Sequence, residues 1–155
     1  MIELSITPLQ TADEARECAQ MMASSEPWIT LGRDFEASLA VVSHPDRETY
    51  LARAGDALAG FIIINMTGAF VGYIQTICVA PEFRSRGVGT QLIAFAESRI
   101  FRDAPNVFMC VSSFNDGARR LYERLGYQVV GELTDYLVRG HSEILLRKTR
   151  GPILG

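Results

Sequence analysis

The sequence predicts an α+β domain: a single mixed, mostly antiparallel sheet of about seven strands flanked by about four helices. Three observations lead there. Between Glu48 and Ala80 lie three strand-like runs joined by links too short for a crossover, which makes an antiparallel meander. An Arg/Gly turn and an amphipathic helix then separate the meander from the next apolar strand, so that strand returns parallel to the third one. Finally, 155 residues with 48% hydrophobic content and a formal charge of −3 suit one globular core.

Taken in order, "IELSI" alternates apolar and polar residues as a half-exposed strand does. Thr11 followed by Glu14 reads as a capping box, and Ala15, Cys18, Ala19 and Met22 mark one face of the helix it opens. A second short helix starts at Asp34, turns Phe35, Leu39 and Val42 to one side, and stops at His44-Pro45. "ETYLARA" and "ALAGFIIINM" flank Gly55-Asp56, a link suited to a hairpin, and "FVGYIQTICVA" supplies the third strand. The helix after the Arg/Gly turn buries Val88, Leu92, Phe95, Ala96 and Ile100.

"NVFMCVSS" is then a buried strand. In "NDGARRLYERLG", Asn115 fits an N-cap, Ala118, Leu121, Tyr122 and Leu125 line one face, and Gly126 fits the stop. "YQVVGEL" and "SEILLRK" complete the sheet around a loop from Asp135 to His141, and the last strand, if it forms a sheet edge, offers pairing to a second chain. Residues 1–150 form the domain and 151–155 a loose tail; monomer and homodimer both remain open.

Composition excludes several classes. The slightly acidic charge argues against a long nucleic-acid footprint. No apolar run reaches the roughly 18 residues that span a bilayer, and the N-terminus lacks a basic region followed by a long apolar segment, so a cytoplasmic location without membrane contact is expected. Cys18, Cys78 and Cys110 are widely spaced within apolar segments and form no ligand pair, so reduced thiols and no metal are expected.

The chemistry is concentrated in "RSRGVG". A helix's first turn leaves backbone N–H groups without partners and favours negative charge. Gly87 and Gly89 let an anion approach those groups, and Arg84 and Arg86 neutralise it from the rim. The turn therefore reads as a phosphate cradle. It is not a P-loop, because no lysine follows Gly89, and the run Gly87-Val88-Gly89-Thr90 lacks the dinucleotide spacing. The plain alternative is a glycine-rich turn with two solvated arginines.

"RSRGVG" resembles the R/Q-x-x-G-x-G/A signature of the GNAT superfamily of N-acetyltransferases. The preceding "TICVAPEF", the later "NDGARRLYERLGY" and the order of elements are similar to that family along nearly the whole chain. The resemblance implies the GNAT fold, in which the parallel strands splay apart, and acetyl-CoA as co-substrate. Its pyrophosphate would take the N–H groups of Arg84, Ser85, Arg86, Gly87, Val88, Gly89 and Thr90. Its pantetheine arm would pair with Ile77, Cys78 and Val79 like an added strand. Asn115 and Tyr122 would lie beside the coenzyme, with an oxyanion donor at a bulge near Ile77.

Amine attack on a thioester needs an oxyanion donor and a proton for the departing sulfur. Tyr122 is the expected acid, with an ordinary phenol pKa of about 10; the bland alternative is a core residue between Leu121 and Leu125. The family motifs put Tyr73 and Cys110 where other members carry a proton acceptor, a departure because neither is Asp or Glu. Tyr73 could hold a relaying water, and strict alternation would put Tyr73, Gln75 and Ile77 on one face. Cys110 reads as a buried thiol more readily than as an acyl carrier. Glu26 and Trp28 fall in a loop where the family builds acceptor recognition. Tyr136 resembles a tyrosine of peptide-acetylating members, and His141 reads as a solvated loop residue. The resemblance implies direct transfer of acetyl to an amine acceptor, small molecule or peptide. The alternative is a non-catalytic acyl-CoA binding or sensing module.

Overall fold

The computed structural model describes residues Met1–Gly155. One sheet contains β1 Ser5–Pro8, β2 Glu48–Ala54, β3 Ala57–Asn65, β4 Tyr73–Val79, β5 Asn106–Ser112, β6 Gln128–Leu133 and β7 Glu143–Thr149. Four helices accompany it: α1 Ala12–Ala23, α2 Phe35–Val42, α3 Val88–Ile100 and α4 Asp116–Arg124. The strand order is β1-β2-β3-β4-β5-β7-β6, and only the β4–β5 neighbours run parallel. This is the mixed sheet that the meander and crossover predict. No helix is long and apolar enough to cross a membrane.

Local chemistry sets most element ends. Thr11 Oγ1 accepts from Glu14 N at 3.1 Å, while Glu14 Oε1 accepts from Thr11 N at 3.1 Å, closing the capping box of α1. Asp34 Oδ1 caps α2 through Ala37 N at 2.9 Å. Gly55, at φ +61°, turns the β2–β3 hairpin. Both faces of β3 are covered, which explains its unbroken apolar run. Ile62 and Ile64 join a cluster with α3, whereas Phe61 and Ile63 join one with α1 and α2. Each such fully buried side chain contributes about 1.5–3 kcal/mol.

Two expectations are corrected. The first strand is Ser5–Pro8 rather than Ile2–Ile6, because pairing with β2 begins at Ser5↔Arg53. Ile2 and Leu4 pack on the α3-side cluster instead, and the Ile2 carbonyl accepts from Gln91 Nε2 at 2.8 Å. The third strand starts at Tyr73, since Gly72 bends the chain at φ +89° and Phe70 packs on Phe108. The condition left open for the last strand is not met: β7 lies between β5 and β6, and the sheet's edges are β1 and β6.

The feature that positions the site is the short match between β4 and β5. They pair only at Tyr73↔Phe108 and Ile74↔Met109. Beyond that point β4 stays with β3 as far as Val79↔Gly60, and β5 stays with β7 as far as Ser112↔Glu143. The two strands therefore part, and a wedge opens through the sheet.

Candidate active site

At the wide end of the wedge stands the N-terminus of α3. Ser85 and Gly87 adopt positive φ, +61° and +83°, which turns the chain tightly into the helix. The N–H groups of Ser85, Arg86, Gly87, Val88, Gly89 and Thr90 donate to no acceptor in the chain. Arg84 differs from the expectation, because its N–H donates to the Pro81 carbonyl at 3.3 Å in the preceding turn. Neither Arg84 nor Arg86 forms an ion pair; the Arg86 guanidinium rests over the Phe83 ring at 5.2 Å. Six free donors, a helix dipole and an unpaired arginine at the mouth make a site for a phosphate-sized anion.

From Arg84 and Gly89 a cavity of about 910 Å³ runs between β4 and β5 and out among the α1–α2 loop and the β6–β7 loop. It brings together Ile77, Cys78, Val79, Asn115, Tyr122, Tyr73, Cys110, Glu26, Trp28 and Tyr136. Ser85, Arg86, Gly87, Val88 and Thr90 do not line it; they border its entrance through the backbone, and the Val88 side chain is a core residue. Asn115 caps α4, its Oδ1 accepting from Ala118 N at 3.3 Å. The Tyr122 ring packs against the α3-side cluster, and burial pushes its phenol up to about 12.

A bulge changes which side chains share a face. Ile63 pairs with Thr76 and Ile64 with Ile74, so Gln75 is the extra residue. The bulge thus sits two residues before Ile77, where an oxyanion donor was expected. It also reverses the alternation: Ile74, Ile77 and Val79 all meet the α3-side cluster, while Cys78 meets the α1–α2 cluster. Tyr73 and Ile77 therefore lie on opposite faces, contrary to strict alternation. The Gln75 side chain accepts from Arg47 Nε at 2.8 Å.

On the α1–α2 side, Tyr73 and Cys110 both face the cavity, and burial raises the phenol and the thiol above their ordinary ranges. Glu26 is already engaged: its carboxylate accepts from Thr30 N at 3.0 Å and Thr30 Oγ1 at 2.9 Å. Trp28 packs against the α1–α2 cluster at the cavity wall, and Tyr136 is 58% exposed at the mouth. His141 stands edge-on to Phe114 at 5.1 Å.

The residue that sequence reasoning missed is Glu143. It is 4% exposed, lines the cavity and accepts from Ser112 Oγ at 2.7 Å. Burial raises its carboxyl, while the Ser112 bond and His141 pull it partly back. In sequence it is an ordinary charged residue opening a strand. Only the placement of β7 beside β5 carries it to Ser112.

The model of the Acetyltransferase (GNAT) family matches residues 10–127. The N-alpha-acetyltransferase RimI of Mycobacterium tuberculosis is 30% identical over 149 residues, covering 91% of this chain and 90% of its own. A GNAT-family protein from Desulfovibrio desulfuricans superposes with a TM-score of 0.77 at 19% identity, over 95% of this chain and 99% of its own. An aminoglycoside 6'-N-acetyltransferase complexed with coenzyme A gives 0.76 at 17% identity, over 96% and 98%. At such identities these two likenesses concern the fold.

Proposed function

The chain belongs to the GNAT family of acetyltransferases, and from that premise we propose that it moves the acetyl group of acetyl-CoA directly to the primary amine of a peptide-like acceptor. One observation carries the reading: the six free N–H groups at α3 open onto a cavity that passes between the parted strands to Tyr122. The diphosphate takes the donors, and the pantetheine arm follows the edge of β4 that β5 leaves unpaired. The thioester then reaches the wedge with Tyr122 on the α3–α4 side and the acceptor on the α1–α2 side. Backbone N–H groups of β4 facing the gap receive the oxyanion, and the Tyr122 hydroxyl donates to the sulfur as it leaves.

The charge balance narrows the acceptor. The cavity is lined by Glu26 and Glu143 but also by Arg33, Arg47 and Arg84, a poor match for a polycation such as a polyamine or an aminoglycoside. A single amine on an uncharged or acidic frame suits it better. The α-amine of a peptide has a pKa near 8, so about a tenth is already neutral at pH 7, against about 0.04% of a lysine side chain. The name of the mycobacterial relative points the same way.

Mass spectrometry of products from acetyl-CoA and a pool of peptides with free N-termini, lysine peptides, polyamines and amino sugars tests this. The expected product is acetyl on peptide α-amines, with polyamines unmodified. Acetyl-CoA binding without any product would instead favour the non-catalytic acyl-CoA module.

The cradle has its own test. A Cβ on Gly89 would meet only Leu121 Cδ2 at 3.8 Å and Val79 Cγ2 at 3.9 Å, so the fold accepts a side chain there while the slot narrows. Gly89→Val is expected to leave the melting temperature unchanged and to weaken acetyl-CoA binding by about ten- to a hundredfold in calorimetry, or about 1.4–2.7 kcal/mol. Undiminished affinity would remove Gly89 from the cradle.

A further inference from the structure

We propose that Glu143 is the general base that takes the proton of the acceptor amine, an assignment that rests on the acetyl-transfer reading above. Its carboxylate lies on the same face as Tyr73 and Cys110, at the α1–α2 side of the wedge where the acceptor enters. Ser112 Oγ holds Oε2 at 2.7 Å and so fixes the carboxylate plane. Oε1 has no hydrogen-bond partner in the chain and is not a sealed atom, so it opens on the cavity.

The neighbours leave this role to Glu143. From β4 comes Tyr73, from β5 Cys110 and Ser112, and from the β6–β7 loop Tyr136 and His141. On β6 the facing residue is Leu133, and nearby Glu132 accepts from Ser142 Oγ at 2.9 Å. The Tyr73 phenol and Cys110 thiol are held protonated by burial, and Glu26 is committed to Thr30. No arginine or lysine pairs with Glu143. Burial moves its carboxyl upward, toward the range in which a base both holds and releases a proton near neutrality.

Glu143 takes one proton from R-NH3+, and the neutral amine attacks the thioester carbon. The carbon–sulfur bond breaks, the thiolate takes the Tyr122 proton, and the new amide nitrogen gives up its second proton. One of the two nitrogen protons thus replaces that of Tyr122 and the other leaves through Glu143 to water.

Glu143→Gln tests the assignment, because it retains the shape and an acceptor for Ser112. The peptide acetylated by the wild type serves as substrate, with kcat/KM read across pH 6–10, acetyl-CoA affinity by calorimetry and the melting temperature. The expected result is unchanged acetyl-CoA affinity and a fall in kcat/KM of about ten- to a hundredfold at pH 7, closing as the pH passes the α-amine pKa near 8. The stability readout separates this from a structural role. A carboxyl raised on folding contributes stability below its unfolded pKa and loses it as pH rises through the folded value. Near neutrality the glutamine variant therefore melts no lower than wild type. Glu143→Asp, which keeps a base on a shorter arm, should recover part of the rate. A wild-type rate and profile in Glu143→Gln, or an equal loss at every pH with a lower melting temperature, overturns the assignment alone. A wild-type protein that acetylates no amine overturns it together with the transfer function.

Discussion

Tyr122→Phe is expected to lower kcat by about 10²- to 10³-fold, some 3–4 kcal/mol of transition-state stabilisation, with acetyl-CoA affinity and melting temperature unchanged. The ring belongs to the packed side of α4, in the α3-side cluster with Ala118 and Leu125, and phenylalanine preserves that packing. Only the hydroxyl is lost, from a residue that lines the cavity. Burial places the phenol at about 12 rather than its ordinary value near 10, which changes how it works. A phenol that weakly acidic does not protonate a resting thiolate outright. In the proposed role it would donate a hydrogen bond that strengthens as charge builds on sulfur, and would release the proton late. It also remains protonated well above neutrality, so Tyr122 causes no alkaline decline in the wild-type rate below about pH 11. Steady-state kinetics across pH provide the check: a full rate in Tyr122→Phe removes the residue from the proton path.

Where local chemistry decides, the sequence was readable. The capping box at Thr11, the Gly55 hairpin, the cap at Asn115 and the free donors ahead of α3 each follow from a few neighbouring residues. The crossover also dictated the parallel pair, while the parting of its strands was implied by the family resemblance. What was not readable depended on pairing between distant segments. The bulge at Gln75 arises from the register of β4 against β3, and nothing in "YIQTICV" announces that the alternation reverses there. Whether the last strand forms an edge was left open, and it does not, because it inserts between β5 and β6. Glu143 was missed for the same reason: its partner Ser112 is 31 residues away, and only the β5–β7 ladder makes them neighbours. The absent carboxylate at Tyr73 and Cys110 was thus a correct observation about two strands, with the carboxylate supplied by a third.

Gly72→Ala is expected to destabilise the fold by about 3–5 kcal/mol, lowering the melting temperature by roughly 10 °C for a chain of this size. Gly72 has φ +89°, and a Cβ there would overlap the Asn106 carbonyl and come within 2.6 Å of Ile100 Cγ2. Neither neighbour moves cheaply: Asn106 opens β5, and Ile100 is a fully buried residue at the end of α3. Gly68→Ala separates strain from collision. It has a similar φ of +81° with nothing within 4 Å, so it should lose only the roughly 1–2 kcal/mol of an unfavourable backbone region. Thermal unfolding of both variants decides, and equal losses would mean that the close approach at Gly72 contributes nothing. The consequence extends to the site because the Gly72 carbonyl accepts from Phe108 N at 2.9 Å, immediately before the two residue pairs that join β4 to β5. Pushing Gly72 away from Asn106 loosens the only pairing that holds these strands together, and the wedge proposed for the thioester loses its closed end. Residual folded Gly72→Ala should therefore gain less stabilisation from acetyl-CoA than wild type or Gly68→Ala, although residue 72 lies far along β4 from the phosphate cradle.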